Sequence, residues 1–586
     1  MKEPPASPPP ASPPPPGGKG SHRELRPEED APLKEILLYA FGNIEGALAN
    51  GFYGLMNSLM IVALGMNPLV MGFILSIKTL WDGITDPIMA HVTDRTRTRW
   101  GRRRPFILVG GLSRVVLLVL IFLFFPQSST VKTNAELVAE RDARETPAAT
   151  APAATAPTDS EGLPEDGMTE AFEEAAEAPP APLVGMPRPP RPSLWQNLRN
   201  GVGEFLSNED PYHRTVAIYV LVACLLFTTL TTVQSVPYWA LGIELCPSYD
   251  GRTRVVTYRS FIDKTMAAVA PWILPFCFLP IFFNVIEGLL WYSIIVVAIG
   301  GPSTILMVLY TQERMMKSIA KPGDGPGLLR SMWQTGKNIH FLKILFLFQF
   351  ISITNGVFAQ FMLFLNIYWV FGGDALAGSV MSGWVGTLGV VVSILALPLV
   401  NWSCRKLQKH RALRYAIIWM SFGSAAKWFI FTPENPYWQL ALPFFFSIGI
   451  SAVFTILPTM MADVTDIDEL RHGVRREGMF GAVMAFLMKL TGAFQPLLAG
   501  AMLVVSGFDV TLGANQTEET IHSMRILFSF VPAGLLLLAI VALWRYPLTR
   551  ERMEEVKAQL LVARARRAAE KEAAELSNDP TPSPAT

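Results

Sequence analysis

Long apolar runs recur along the whole of this chain, and they leave no room for an ordinary soluble fold. Twelve are long enough to cross a bilayer as helices, roughly 34–65, 68–93, 105–126, 213–241, 257–283, 286–310, 341–371, 375–400, 413–432, 436–463, 479–505 and 522–545. A crossing helix needs about 20 mainly apolar residues. Hydrocarbon offers no partner for an open backbone, so segments of this length cross it as helices. The expected class is an all-α polytopic membrane protein. Composition agrees: 17% of residues are charged, where a soluble domain carries about a quarter.

Lysine and arginine sort the connections into two sets, which predicts orientation. Arg95, Arg97, Arg99, Arg102, Arg103 and Arg104 follow the second run, and Arg252 and Arg254 the fourth. Arg314, Lys317, Lys321, Arg330 and Lys337 follow the sixth, Arg405, Lys406, Lys409 and Arg411 the eighth, and Arg471, Arg475 and Arg476 the tenth. The connections after runs 1, 5, 7, 9 and 11 carry no lysine or arginine. A missed run would scramble this alternation. It therefore supports twelve spans, two halves of six, and both termini on the cytoplasmic side of the cell (inner) membrane.

The expected organisation follows. Residues 1–33 form a polar, Pro-rich tail without the apolar stretch of a signal peptide. Spans 1–3 occupy 34–126, and an outward-facing insert occupies 127–212. Its middle, 146–192, is rich in Ala, Pro and Glu and is expected to be disordered. Its end, 193–207, repeats Leu194, Trp195, Leu198, Val202, Phe205 and Leu206 at helical spacing. That segment reads either as an amphipathic surface helix or as a loop packed on the protein. Spans 4–6 occupy 213–310, a flexible linker 311–340, and spans 7–12 residues 341–545. The tail 546–586 is expected to continue the last helix and fray. Cys224, Cys246, Cys277 and Cys404 show no disulfide or metal spacing and read as packing residues.

Within the second run, Asp82 and Asp86 stand four residues apart and share a helix face. Asp82 lies about fourteen residues from the outer end of its run, near mid-membrane. Two carboxylates there are costly unless a cation, a proton or a partner neutralises them. Their oxygens suit a hard ion such as Na⁺, or a proton, and Pro87 frees a further backbone carbonyl. A buried salt bridge is the structural alternative. Other charges inside spans are Glu45, Arg259, Asp263, Lys264, Lys427 and Lys489. Lys427 is expected to snorkel to an interface, whereas Lys489 lies too deep for that. Asp94 and Arg95 lead into the basic loop with Arg102 and Arg103, which reads as a latch. ADVTDIDELRHGVRREG, carrying Asp463, Asp466, Arg475 and Glu477, occupies the matching place in the second half. Ion pairs between such loops would close the cytoplasmic side. Trp81, Trp239 and Phe454 offer faces for stacking on a sugar ring. GxxxxGK[ST], HExxH and GxSxG are absent, so neither ATP-driven transport nor these hydrolytic chemistries has support.

WDGITDPIMAHVTDRTRTRWGRRRPFIL, VPYWAL, YRSF, and ADVTDIDELRHGVRREG followed by Lys489 appear in that order. Together they resemble the glycoside–pentoside–hexuronide:cation symporters of the major facilitator superfamily, the melibiose permease-like carriers. The resemblance covers nearly all twelve spans. It implies two six-helix bundles around a central cavity, alternating access, and symport of a sugar or glycoside with Na⁺ or H⁺. It assigns the cation to Asp82, Asp86, Thr232 and Thr85, and the substrate region to Ser235, Trp239, Arg259, Phe454 and Lys489, with Glu45 nearby. Two departures bear on substrate. Ser235, and Gly46 or Ala47, stand where melibiose-type members grip sugar with carboxylates, and Met484 and Ala485 replace a polar pair. The cavity is left more positive, which suits an anionic substrate such as a uronic acid. A lysolipid-type amphiphile is the alternative cargo, and a non-transporting scaffold a further one. No cofactor, enzymatic activity or nucleic-acid partner is expected, and the default oligomeric state is a monomer in the bilayer.

Overall fold

The computed structural model describes residues 30–126, 133–145, 211–246, 248–313, 336–473, 477–513, 515–543 and 547–578. They are almost entirely helical. The first half comprises α1 (Leu33–Phe41), α2 (Asn43–Val62), α3 (Pro68–Arg95), α4 (Arg104–Leu123), α5 (Asn134–Glu145), α6 (Pro211–Leu245), α7 (Tyr249–Val269), α8 (Ile273–Cys277) and α9 (Val285–Tyr310). The second comprises α10 (Ile339–Leu365), α11 (Ala375–Leu407), α12 (Lys409–Ile430), α13 (Leu442–His472), α14 (Glu477–Val505), α15 (Glu518–Ala542) and α16 (Arg550–Asn578). Short polar residues start several of them. Asn67 accepts from Leu69 N at 2.9 Å with Pro68 as first residue of α3, and Asp374 accepts from Ala377 N at 2.9 Å.

Among the described residues, eight helical segments are long and apolar enough by themselves to cross a membrane, and they include α4, α6, α9, α10, α11, α13, α14 and α15. The other four sequence runs correspond to α1–α2, α3, α7–α8 and α12. These are the segments that carry Glu45, Lys78, Asp82, Asp86, Arg259, Asp263, Lys264 and Lys427. The charges that lower their hydropathy are the ones any function must explain.

Three apolar clusters show how the halves meet. One combines first-half residues such as Phe52, Phe122 and Phe227 with second-half residues such as Phe361, Phe364 and Phe528. At the end carrying the basic loops there are two separate clusters. Ile36, Tyr39 and Leu241 belong to the first half, and Phe341, Ile417 and Phe480 to the second. Contacts between halves follow the same division. Ser76 Oγ donates to Ala493 O at 2.5 Å, Asn57 Nδ2 to Gln360 Oε1 at 3.0 Å, and Trp272 Nε1 to Thr387 Oγ1 at 2.8 Å. A Cβ on Gly72 would lie 2.7 Å from Pro496 O, so only glycine lets α3 and α14 approach this closely. The molecule is joined at the end away from the basic loops and divided at the basic end.

One region adds to expectation and another departs from it. Part of the 127–212 insert is ordered: α5 docks by Asn134 N to Phe283 O at 2.9 Å and Asn134 Nδ2 to Cys277 O at 3.1 Å. The anticipated disordered middle and the 193–207 helix lie outside the described residues, as does most of the 311–340 linker. The carboxyl-terminal segment is a helix of its own, not an extension of α15. Met553, Val556 and Leu560 recur along one face of α16 and are buried, the first two within the second-half cluster.

Candidate functional site

The sequence places Asp82 and Asp86 one turn apart on α3, and packing of α3 against α14 brings Lys489 between them. Lys489 Nζ lies 2.9 Å from Asp82 Oδ2, donates to Asp82 O at 3.2 Å, and pairs directly with Asp86. Thr232 on α6 donates to Asp82 Oδ1 at 3.2 Å, and its hydroxyl lies 3.1 Å from that of Thr85. Trp81 Nε1 donates to Thr229 Oγ1 at 3.0 Å, clipping the same two helices together. Asp82, Asp86, Thr85, Thr232 and Lys489 therefore form one polar cluster at mid-span. The side chains of Asp82, Asp86 and Lys489 remain 27%, 33% and 29% exposed. They line the gap between the halves and are not sealed in the bundle.

Lys78, which the motif reading passed over, stands one turn before Asp82. Its ammonium lies 3.6 Å from the centroid of the Tyr53 ring, whose hydroxyl is 2.9 Å from Thr228 Oγ1. The signal was available as a Lys78, Asp82, Asp86 stripe at four-residue spacing. Two carboxylates thus face two ammonium groups. No group of three or more acidic, His or Cys side chains that could hold a metal occurs among the described residues. Two carboxylates with two hydroxyls form a modest oxygen set, suited to one small monovalent cation or a proton in place of the Lys489 ammonium.

The substrate candidates are distributed differently. Arg259 stacks 3.3 Å over Trp239, and its Nε lies 3.4 Å from Asp263 Oδ2. Asp263 also accepts from Asn43 Nδ2. Trp239 and Phe454 are more than half exposed, with Phe454 set edge-on to Phe348 at 5.7 Å. Ser235 is half-buried on α6. Glu45 faces away from any open space. It is fully buried, bound at both oxygens by Arg114, and accepts from Gln234 Nε2 at 2.6 Å. Arg114 comes from the apolar run GLSRVVLL, where nothing in the local spacing marks it as the partner of Glu45. Lys427 does not snorkel. It is buried under the rings of Phe358, Phe446 and Phe528 at 4.8, 4.4 and 4.3 Å.

The charged loops pair inside their own halves. Asp94 lies 3.9 Å from both Arg102 and Arg103, which make closer pairs with Glu244 at 2.5 and 2.9 Å. Glu313 accepts the backbone N–H groups of Arg102, Arg103 and Arg104 at 2.8, 2.7 and 3.0 Å, capping α4. Arg95 is exposed. In the second half, Asp463 pairs with Lys409 at 2.6 Å, and Arg564 of α16 grips Glu469 through two bonds of 2.8 and 2.6 Å. Those bonds hold the Arg564 guanidinium above its ordinary range. Arg567 donates to Gly473 O at 2.6 Å, at the left-handed end of α13. Asp466 is half-buried; Arg475 and the side chain of Glu477 lie outside the described residues. In this conformation the two charged motifs brace each half and leave the division between them open.

Comparison with known proteins agrees with this architecture. The family model for "MFS/sugar transport protein" matches residues 51–139 and 204–550. An uncharacterized symporter of Synechocystis sp. is 23% identical over 85% of this chain and 90% of its own length. The inner membrane symporter YicJ of Escherichia coli is 24% identical over 82% and 84%. Among solved structures, a bacterial homologue of the iron transporter ferroportin in its inward-facing state aligns with a TM-score of 0.51. It covers 88% of this chain and 98% of its own at 12% identity, a likeness of fold.

Proposed function

This chain belongs to the MFS/sugar transport family, and from that premise we propose that it is a cation-coupled symporter of a sugar or glycoside. Membership makes it a multi-pass membrane transporter of a small molecule, with the major facilitator fold and no enzymatic role. The observation that carries the finer reading is the placement of Asp82 and Asp86. They sit at mid-span, partly open to solvent, with Thr232 and Thr85 beside them, Lys489 paired to both and Lys78 one turn away.

In this reading Na⁺ or H⁺ loads the two carboxylates and releases Lys489 into the gap between the halves. There the ammonium and Arg259 favour a polar, and especially an anionic, glycoside, with Trp239 offering a stacking face. Each ligand then stabilises the same closed arrangement, which is the condition for coupling. The halves rock between openings, the basic-loop end being cytoplasmic by the distribution of Lys and Arg. The exposed apolar side chains Trp239, Phe261 and Phe454 also favour, more weakly, a lysolipid-type cargo.

The deciding experiment is thermal unfolding of the purified protein with neutral sugars, uronic acids and lysolipids, each with and without Na⁺. A ligand that binds only the native state raises apparent stability. Stabilisation by one sugar class that grows with Na⁺ is the expected result. Growth on acidification, with no effect of Na⁺, would assign the proton. A response to lysolipids alone would overturn the sugar reading.

A further inference from the structure

On the basic-loop face of the second half, the turn between α11 and α12, the end of α13 and the start of α16 enclose a crevice of about 340 Å³. Its walls bring together Arg405, Lys409, Arg550 and Lys557, with His410 at the side, and Asp463 and Glu554 as the acidic members. Lys409 is already committed to Asp463 at 2.6 Å. Arg550 donates to the backbone carbonyl of Arg405 at 3.2 Å, which holds its guanidinium against the end of α11. Among the described residues, neither Arg405 nor Lys557 has an acidic partner within ion-pair distance. Four cations against two carboxylates leave the crevice net positive, which a bound anion would offset.

The surroundings identify the depth. One turn before the crevice, Trp402 is 55% exposed and Lys406 stands 5.2 Å from its ring centroid. An outward-facing tryptophan beside a lysine marks the level of lipid headgroups. On the same side of this helix as Trp402, Leu395 and Leu399 are 71% and 47% exposed, on the way toward mid-membrane. An apolar track thus ends at a cationic crevice, a shape that fits acyl chains joined to a phosphate.

We propose that this crevice binds the headgroup phosphate of an anionic glycerophospholipid, with Arg405, Arg550 and Lys557 around the phosphate and the acyl chains along Leu395, Leu399 and Trp402. The site is built in part by α16, so the lipid fastens the carboxyl-terminal helix to the α11–α12 turn. A soluble phosphate would satisfy the cations and leave the apolar track unused, and the test separates these sources.

The full-length protein in a neutral detergent is titrated with short-chain phosphatidylglycerol, phosphatidylcholine or glycerol phosphate while its thermal unfolding is followed. Phosphatidylglycerol is expected to stabilise it, with little effect from the other two. A double variant, Arg405→Gln with Lys557→Gln, is expected to weaken the phosphatidylglycerol response by about thirtyfold, since each basic side chain near anionic lipid contributes about fivefold. Arg566→Gln, at an 81% exposed position on the same helix, serves as the charge control and keeps the full response. If the double variant unfolds in detergent alone, single Arg405→Gln and Lys557→Gln, each expected near fivefold, decide instead. Equal stabilisation by glycerol phosphate would overturn the lipid assignment. Equal losses in the Arg566 control, or no loss in the crevice variants, would overturn the site.

Discussion

Two of the charged clusters inside this membrane domain differ in almost every respect that matters. Glu45 and Arg114 are 0% and 1% exposed, bidentate, and supplemented by Gln234. Asp82, Asp86 and Lys489 are about a quarter to a third exposed, and their helices belong to opposite halves. The first pair ties α2 to α4 and α6 within one half. The second spans the division between halves, where each member is partly open to solvent. Sealed charges hold a bundle together; charges at the boundary between the halves are the ones the proposed coupling uses.

The comparison can be broken most forcefully at Glu45. Glu45→Gln leaves the Arg114 guanidinium buried without its counter-charge, and orphaning a buried partner costs about 3–5 kcal/mol. A large drop in unfolding temperature, or no recoverable folded protein, is expected. An unaltered temperature would remove the distinction between the two pairs. Lys489→Gln is the matched test at the boundary. Water reaches the carboxylates it uncovers, so the loss of stability should stay below about 1 kcal/mol, the scale of hydrated pairs. Stabilisation by the coupling cation should increase, because its internal competitor is gone. Thr232→Val removes one hydroxyl from Asp82 Oδ1 and should weaken cation-dependent stabilisation by about fivefold, the equivalent of one hydrogen bond of about 1 kcal/mol. The smallest effect belongs to Arg564→Gln. It removes the two bonds from Arg564 to Glu469 and loosens α16, and faster amide exchange confined to 550–578 is the expected signature.

The runs, their alternation of basic loops and the Asp82/Asp86 face were legible in the sequence because each rests on local spacing. So was Lys489, whose depth in its run excluded snorkelling. What stayed hidden depends on contacts distant in sequence. Glu45 looked like a cavity carboxylate until Arg114, 69 positions away, appeared against it. Lys427 kept its place under three phenylalanine rings drawn from α10, α13 and α15, which no property of its own helix announces. The charged loop motifs read as partners across the molecule, yet the pairs seen here run to Glu244, Glu313, Lys409 and Arg564, each inside one half. The independence of α16 follows from an apolar stripe that continued beyond the membrane.

The central claim is that Asp82 and Asp86 hold the coupling cation, and gradient-driven uptake tests it most directly. The protein, Asp82→Asn and Asp86→Asn are reconstituted in liposomes with the glycoside that best stabilises the wild type, and Na⁺ and pH gradients are imposed separately. The account predicts that the wild type accumulates the glycoside against its gradient with one of the two ions. Both variants should remain folded and lose accumulation, while still exchanging internal for external glycoside. Undiminished accumulation in both variants would contradict it.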